Sequence, residues 1–285
     1  MFSAITNMIS DAVTNFFQNL LESLVSMFTS FFGDEMAVAL KILNTPYITN
    51  GIKLAQIIAG TLLALKVAAE ALKTYILYNS GDSSAQPLEL VKRTAFAAAM
   101  VSTSPWLVTK VYTFGADLAK EVAALPAVKL ENPVSNIVSG ISQMSTALLL
   151  ILLAVIVIWI LILIQTAIRA VEIAFIAVSG PIMAVGLTRP DEGVWSVWWR
   201  ELVVLSLSQA VQTFMIRGFL STIANMYFTS EILSKLMLIG WLWVAFKTPS
   251  VLRQFAYHSG VGGAVGQAAQ SAGSMYIMRK MIMKG

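Results

Sequence analysis

Residues 132–168 carry no charged side chain, and within them 147–164, ALLLILLAVIVIWILILI, is apolar throughout. A helix needs about 20 consecutive apolar residues to cross a bilayer, and lipid tolerates only backbones that satisfy their own hydrogen bonds. This run therefore commits the chain to a membrane and to α-helices. The uncharged stretch would make about 55 Å of helix at 1.5 Å per residue, so it either leaves the hydrocarbon at one end or turns at Arg169. Composition agrees: of 285 residues 57% are hydrophobic and 12% charged, about half the charge of a typical soluble domain, with a mean hydropathy of +0.76.

Several chemistries are excluded by what is absent. The chain has no cysteine and one histidine, His258, which removes disulfides, thiolate centres and most zinc sites. No Walker A motif or glycine-rich phosphate loop opens a helix. A nucleophile would need a base within reach, and no such pairing is visible, so neither an enzyme nor a cofactor is expected. The first 30 residues hold Asp11 and Glu22 but no Lys or Arg, which argues against a secretory signal.

Along the chain, Ser3, Asn7, Asp11, Asn15, Gln18 and Glu22 recur every three or four positions opposite Ile5, Ile9, Phe16 and Leu20. That spacing predicts an amphipathic N-terminal helix in residues 1–35, suited to the membrane interface or to packing on copies of itself. Further crossings are expected within 51–78, 94–109, 202–224 and 231–247. The fold class is thus all-α and polytopic, with five or six crossings in a transmembrane domain of residues 36–250. No acidic residue follows Glu231, whereas Lys247, Arg253, Arg279, Lys280 and Lys284 do. Lys and Arg are enriched on cytoplasmic flanks, so the glycine-rich, basic tail of residues 251–285 is expected in the cytoplasm.

The stretch 169–201, RAVEIAFIAVSGPIMAVGLTRPDEGVWSVWWRE, holds most of the candidate functional residues. Arg169 and Glu172 lie one turn apart, as a local ion pair would. Gly180 and Pro181 predict a broken helix and a gating candidate, because proline removes a helical hydrogen bond. Trp195, Trp198, Trp199 and Arg200 read as anchors at the membrane surface. On the next helix Ser206, Gln209, Thr213 and Arg217 share one face. Buried polar residues of this kind hold helices together, meet another subunit or line a conduit, and all three readings stay open here.

A long apolar helix, Arg-x-x-Glu, Gly-Pro, a short charged loop, WSVWWRELVVLSLSQAV and a small-residue tail together resemble the TrbL-type polytopic inner-membrane subunit of conjugative type IV secretion systems. The resemblance covers roughly residues 137–270. It implies a platform or channel subunit of a prokaryotic cytoplasmic membrane, through which single-stranded DNA with its relaxase leaves the donor. It also implies a homo-oligomer that contacts membrane lipid, the energising ATPases and the pilus or stalk subunits. Gly180 and Pro181 match the family's helix break, and Trp198, Trp199 and Arg200 its aromatic-basic helix start. The alternative is a stand-alone transporter or ion channel, which would use broken helices and internal repeats. Arg93 to Pro105 and Arg169 to Pro181 share a separation of twelve residues but few matching positions between them.

Overall fold

The computed structural model describes residues 38–81, 87–125, 146–189, 193–225 and 232–258, with four isolated positions near the N-terminus. The amphipathic helix expected in residues 1–35, the tail beyond 258 and the Gly262-xxx-Gly266 spacing lie outside the described residues. Those described are helical apart from turn residues at 44–45, 80–81, 125 and 189. The helices are α1 (Pro46–Asn79), α2 (Pro87–Ala124), α3 (Thr146–Ala184), α4 (Gly193–Asn225) and α5 (Ile232–His258), with a 3₁₀ turn at Val185–Thr188 between α3 and α4.

Three stretches are long and apolar enough to cross a membrane: Pro46–Asn79, Leu153–Thr188 and Gly193–Thr222, with hydropathies of 1.6, 2.4 and 1.3. Among the described residues these are the spans that length and composition support, against an expectation of five or six. The 39 residues of α3 make roughly 58 Å of helix. It therefore tilts within the bilayer or projects beyond it.

By internal contacts the chain divides into two compact units. One comprises Met1–Ala39, Gly115–Ala170 and Leu207–Thr248; the other comprises Leu40–Phe114, Val171–Ser206 and Pro249–Gly285. In the first unit the core is built by three helices. Val155, Trp159 and Ile162 of α3 pack with Ile216 and Phe219 of α4 and with Leu242 of α5. Trp159 meets Phe219 edge-on, ring centroids 6.1 Å apart. Gly218 makes room for Trp241, since a Cβ there would come within 2.6 Å of its ring.

In the second unit α3 runs through Gly180 and Pro181 without ending, and the ladder gives way only at Val185. The expected helix break is corrected accordingly. A single proline deletes one backbone donor, and the helix continues for three residues beyond it. Gly180 serves close packing instead: a Cβ would lie 2.9 Å from the Trp198 ring and 3.0 Å from Ser104 Oγ. Pro105 and Pro249 likewise sit inside α2 and α5.

Two of the tryptophans expected as anchors pack within the second unit. Trp195 and Trp198 are 9% and 5% exposed, stacked with centroids 4.6 Å apart. The Trp198 indole Nε1 donates to the Ile176 carbonyl at 3.0 Å. With its N–H satisfied by protein and its ring filling the notch at Gly180, Trp198 serves packing. Trp199 and Arg200 are half-buried.

Gly180→Ala is expected to lower the thermal stability of the purified chain in detergent by about 1–3 kcal/mol, the usual cost of overpacking. Gly193→Ala, where a Cβ meets nothing within 4 Å, is expected to leave it unchanged. Equal melting temperatures for the two variants would remove the close-packing role of Gly180.

Candidate functional site: buried polar contacts among apolar helices

Arg169 follows the uncharged run of α3 and is 2% exposed, so its guanidinium needs polar partners inside the protein. Its Nη2 donates to Gln212 Oε1 of α4 at 2.6 Å. Gln212 Nε2 donates to Gln165 Oε1, one turn before Arg169, at 3.2 Å. Gln165 Nε2 then donates to the Phe246 carbonyl of α5 at 3.1 Å. Each amide uses its oxygen as acceptor and its nitrogen as donor, so the chain of bonds runs in one direction from cation to carbonyl. It ties together the three helices that form the apolar core of the first unit.

The four residues expected on one face of α4 are distributed as follows. Ser206, Gln209 and Thr213 are 1%, 1% and 2% exposed. Two of them return to their own helix: Ser206 Oγ donates to the Leu202 carbonyl at 2.8 Å and Thr213 Oγ1 to the Gln209 carbonyl at 2.8 Å. The Gln209 amide makes no hydrogen bond among the described residues. Arg217 donates through Nη2 to the Leu125 carbonyl at the end of α2.

A second cluster lies in the second unit. Arg253 Nε donates to Glu201 Oε2 at 2.9 Å, and Arg253 Nη2 stands 3.6 Å from Glu172 Oε1. The Tyr257 hydroxyl donates to Glu201 Oε1 at 2.8 Å. Burial works against the charge on Arg253, but the Glu201 hydrogen bond and the two carboxylates outweigh it and raise its pKa. The Tyr257 phenol is also raised, first by its bond to Glu201, then by burial, with Arg253 and Arg200 opposing. Glu172, Glu201 and Arg253 line a cavity of about 360 Å³ between α3 and α4, walled by Phe175, Ile176, Val197 and Trp198.

Arg169 and Glu172, expected as a local ion pair, thus each meet a partner from another helix. Gln165, Gln212, Glu201, Arg253 and Tyr257 were missed in the sequence. The signal for Gln165 was its place four residues before Arg169. Arg253 reads as a topology charge until Glu201 is placed beside it. No group of three His, Cys, Asp or Glu among the described residues could hold a metal ion. The arrangement can neutralise buried charge and lock helices.

A family model described as conjugal transfer protein TrbL matches residues 1–284. The chain belongs to the TrbL family. No curated protein and no solved structure matches it. In this TrbL chain the family match extends well beyond the stretch 137–270 that carries the resemblance in the sequence, and it takes in both units. Membership, together with the apolar helices, makes this a membrane protein of conjugal transfer.

The raised phenol of Tyr257 has a pH consequence. Its folded pKa exceeds the ordinary value of 10.0, so the bond to Glu201 stabilises the folded chain fully below pH 10, and that contribution is lost as pH rises through the folded value. Unfolding followed from pH 9 to 11.5 is expected to show a steeper alkaline loss for the unmodified chain than for Tyr257→Phe. Parallel curves would contradict the Tyr257–Glu201 bond.

Proposed function

We propose that the chain is a platform or channel subunit of a conjugative type IV secretion system, acting as an oligomer in the cytoplasmic membrane. The observation that carries this reading is the TrbL family match over residues 1–284. The helices support it, because they are apolar outside and hold polar side chains inside. In this proposal the chain crosses the membrane five or six times with its basic tail in the cytoplasm. It does no catalysis. ATPase partners supply the energy, and this subunit contributes passage, gating or assembly as DNA and its relaxase move out of the donor.

The buried polar contacts fit a subunit that must keep its shape under load. Arg169, Gln212 and Gln165 fix α3, α4 and α5 to one another, which in a bilayer cannot be left to the hydrophobic effect alone. Partners that push or pull on one helix would then move three together. Secretion-system subunits and, in transit, single-stranded DNA are the proposed macromolecular contacts.

Clean deletion of the gene is expected to abolish donor-to-recipient DNA transfer, with complementation restoring it and growth unaffected. Transfer at the level of the undeleted donor, or a growth or solute-handling defect in its place, would overturn the assignment.

A further inference from the structure

Three prolines lie inside described helices: Pro105 in α2, Pro181 in α3 and Pro249 in α5. A proline has no N–H to offer the carbonyl four residues earlier, so Val101, Ala177 and Ala245 lose their ladder partner. Among apolar helices a freed carbonyl has to be answered by a neighbouring helix or by nearby side chains. In each case a side-chain N–H from another helix arrives at that carbonyl or at the one beside it. Gln56 of α1 donates through Nε2 to the Ser102 carbonyl at 3.2 Å and stands 3.5 Å from the Val101 carbonyl. Trp198 of α4 donates to the Ile176 carbonyl at 3.0 Å, and Gln165 of α3 to the Phe246 carbonyl at 3.1 Å.

The turn at Pro105 differs from the other two. At Pro181 the Trp198 ring also fills the notch at Gly180, and at Pro249 the donor Gln165 is held in turn by Gln212. Around Pro105, α2 is loosened by its own hydroxyls. Ser102 Oγ donates to the Ala98 carbonyl at 3.4 Å and Thr103 Oγ1 to that of Ala99 at 2.8 Å. Beyond the proline, Thr109 Oγ1 donates to the Pro105 carbonyl at 3.1 Å and Thr113 Oγ1 to that of Thr109 at 2.7 Å. Hydroxyls folded back in this way weaken and bend a helix, and sharp kinks gather at prolines. Ser104 is buried and packs at Gly180, where a Cβ would come within 3.0 Å of its Oγ, so α2 has a fixed pivot one residue before the proline. On the facing helix, Gln56 is the one amide in the uncharged run LAQIIAGTLLAL of residues 54–65, and it is half-buried.

We propose that α2 is hinged at Pro105 and that Gln56 of α1 is its latch. With the amide seated on the Ser102 and Val101 carbonyls, the limbs 87–104 and 106–114 are held at one angle. With the amide withdrawn, the proline turn has no ladder bond to hold that angle, and the limbs swing about Ser104. A change of rotamer at Gln56 is enough to open the latch, because the apolar packing at the pivot stays in place. The hinge goes beyond the proposed role in DNA transfer and does not depend on it.

The chain contains no cysteine, so spin labels on the full-length chain at Val91→Cys and Phe114→Cys, both exposed, report the angle of α2 from about 34 Å apart. Gln56→Met keeps the length of the side chain and removes the donor. In bilayer nanodiscs it is expected to widen the distribution of label–label distances. Hydrogen exchange of the amides flanking Pro105 is expected to speed up about two- to tenfold, the net worth of one hydrogen bond. Pro105→Ala restores the ladder N–H, so adding it is expected to return both readings to those of the Gln56 chain. A distribution unchanged by Gln56→Met would overturn the latch. Equal widening with and without Pro105 would make Gln56 a packing residue and overturn the hinge. Should Gln56→Met fail to accumulate in the membrane, accumulation restored by Pro105→Ala supports the latch, and accumulation not restored overturns it.

Discussion

A guanidinium placed among apolar helices must be answered by polar groups from the protein itself, and the first unit is organised around that requirement. Arg169 ends the longest uncharged run in the chain, and water is excluded from it to within 2% of its surface. Gln212 supplies the oxygen nearest its Nη2, and Gln165 accepts the amide proton that Gln212 has to spare. The relay ends on a backbone carbonyl of α5. A hydrogen bond to a charged group is worth about 1.5–3 kcal/mol net, and leaving a buried polar group unmade costs about as much. Slippage of any of the three helices along its axis would break one bond and expose the next. The apolar contacts of Trp159, Phe219 and Leu242 tolerate small shifts; the polar relay does not, so it sets the register.

The second unit solves a different problem with shape. Gly180 and Trp198 interlock, and the indole closes its own hydrogen bond on α3. This lets α3 and α4 lie close enough for Glu172 and Glu201 to share Arg253. In each unit a buried or half-buried arginine is answered from other helices, Arg169 by Gln212 and Arg253 by Glu201 and Glu172.

Much of this was legible in the sequence. The uncharged run fixed the membrane, the helical class and the start of the Arg169 region. Ser206, Gln209, Thr213 and Arg217 were expected to share one face of a helix, and the first three are buried. What escaped was pairing. Periodicity shows which residues share a face of one helix, but it does not show which residue of another helix stands opposite. Arg169 was therefore matched to its sequence neighbour Glu172, and Gln212 was passed over beside Thr213. Gly180 and Pro181 were misread because a helix-breaking dipeptide and a glycine notch beside a proline have the same letters; the Trp198 ring that distinguishes them is 18 residues away. Three tryptophans near a charged loop carry the same ambiguity between a bilayer surface and a packed turn.

The 2.6 Å bond makes Arg169 and Gln212 one energetic unit between α3 and α4. The most direct measurement is a double-mutant cycle with Arg169→Met and Gln212→Leu, singly and together, read by unfolding of the purified chain in detergent. Residues in one hydrogen-bonded network couple by about 0.5–3 kcal/mol, so a coupling of at least about 1 kcal/mol is expected, with the double variant less damaged than the sum of the singles. Effects that simply add would contradict it.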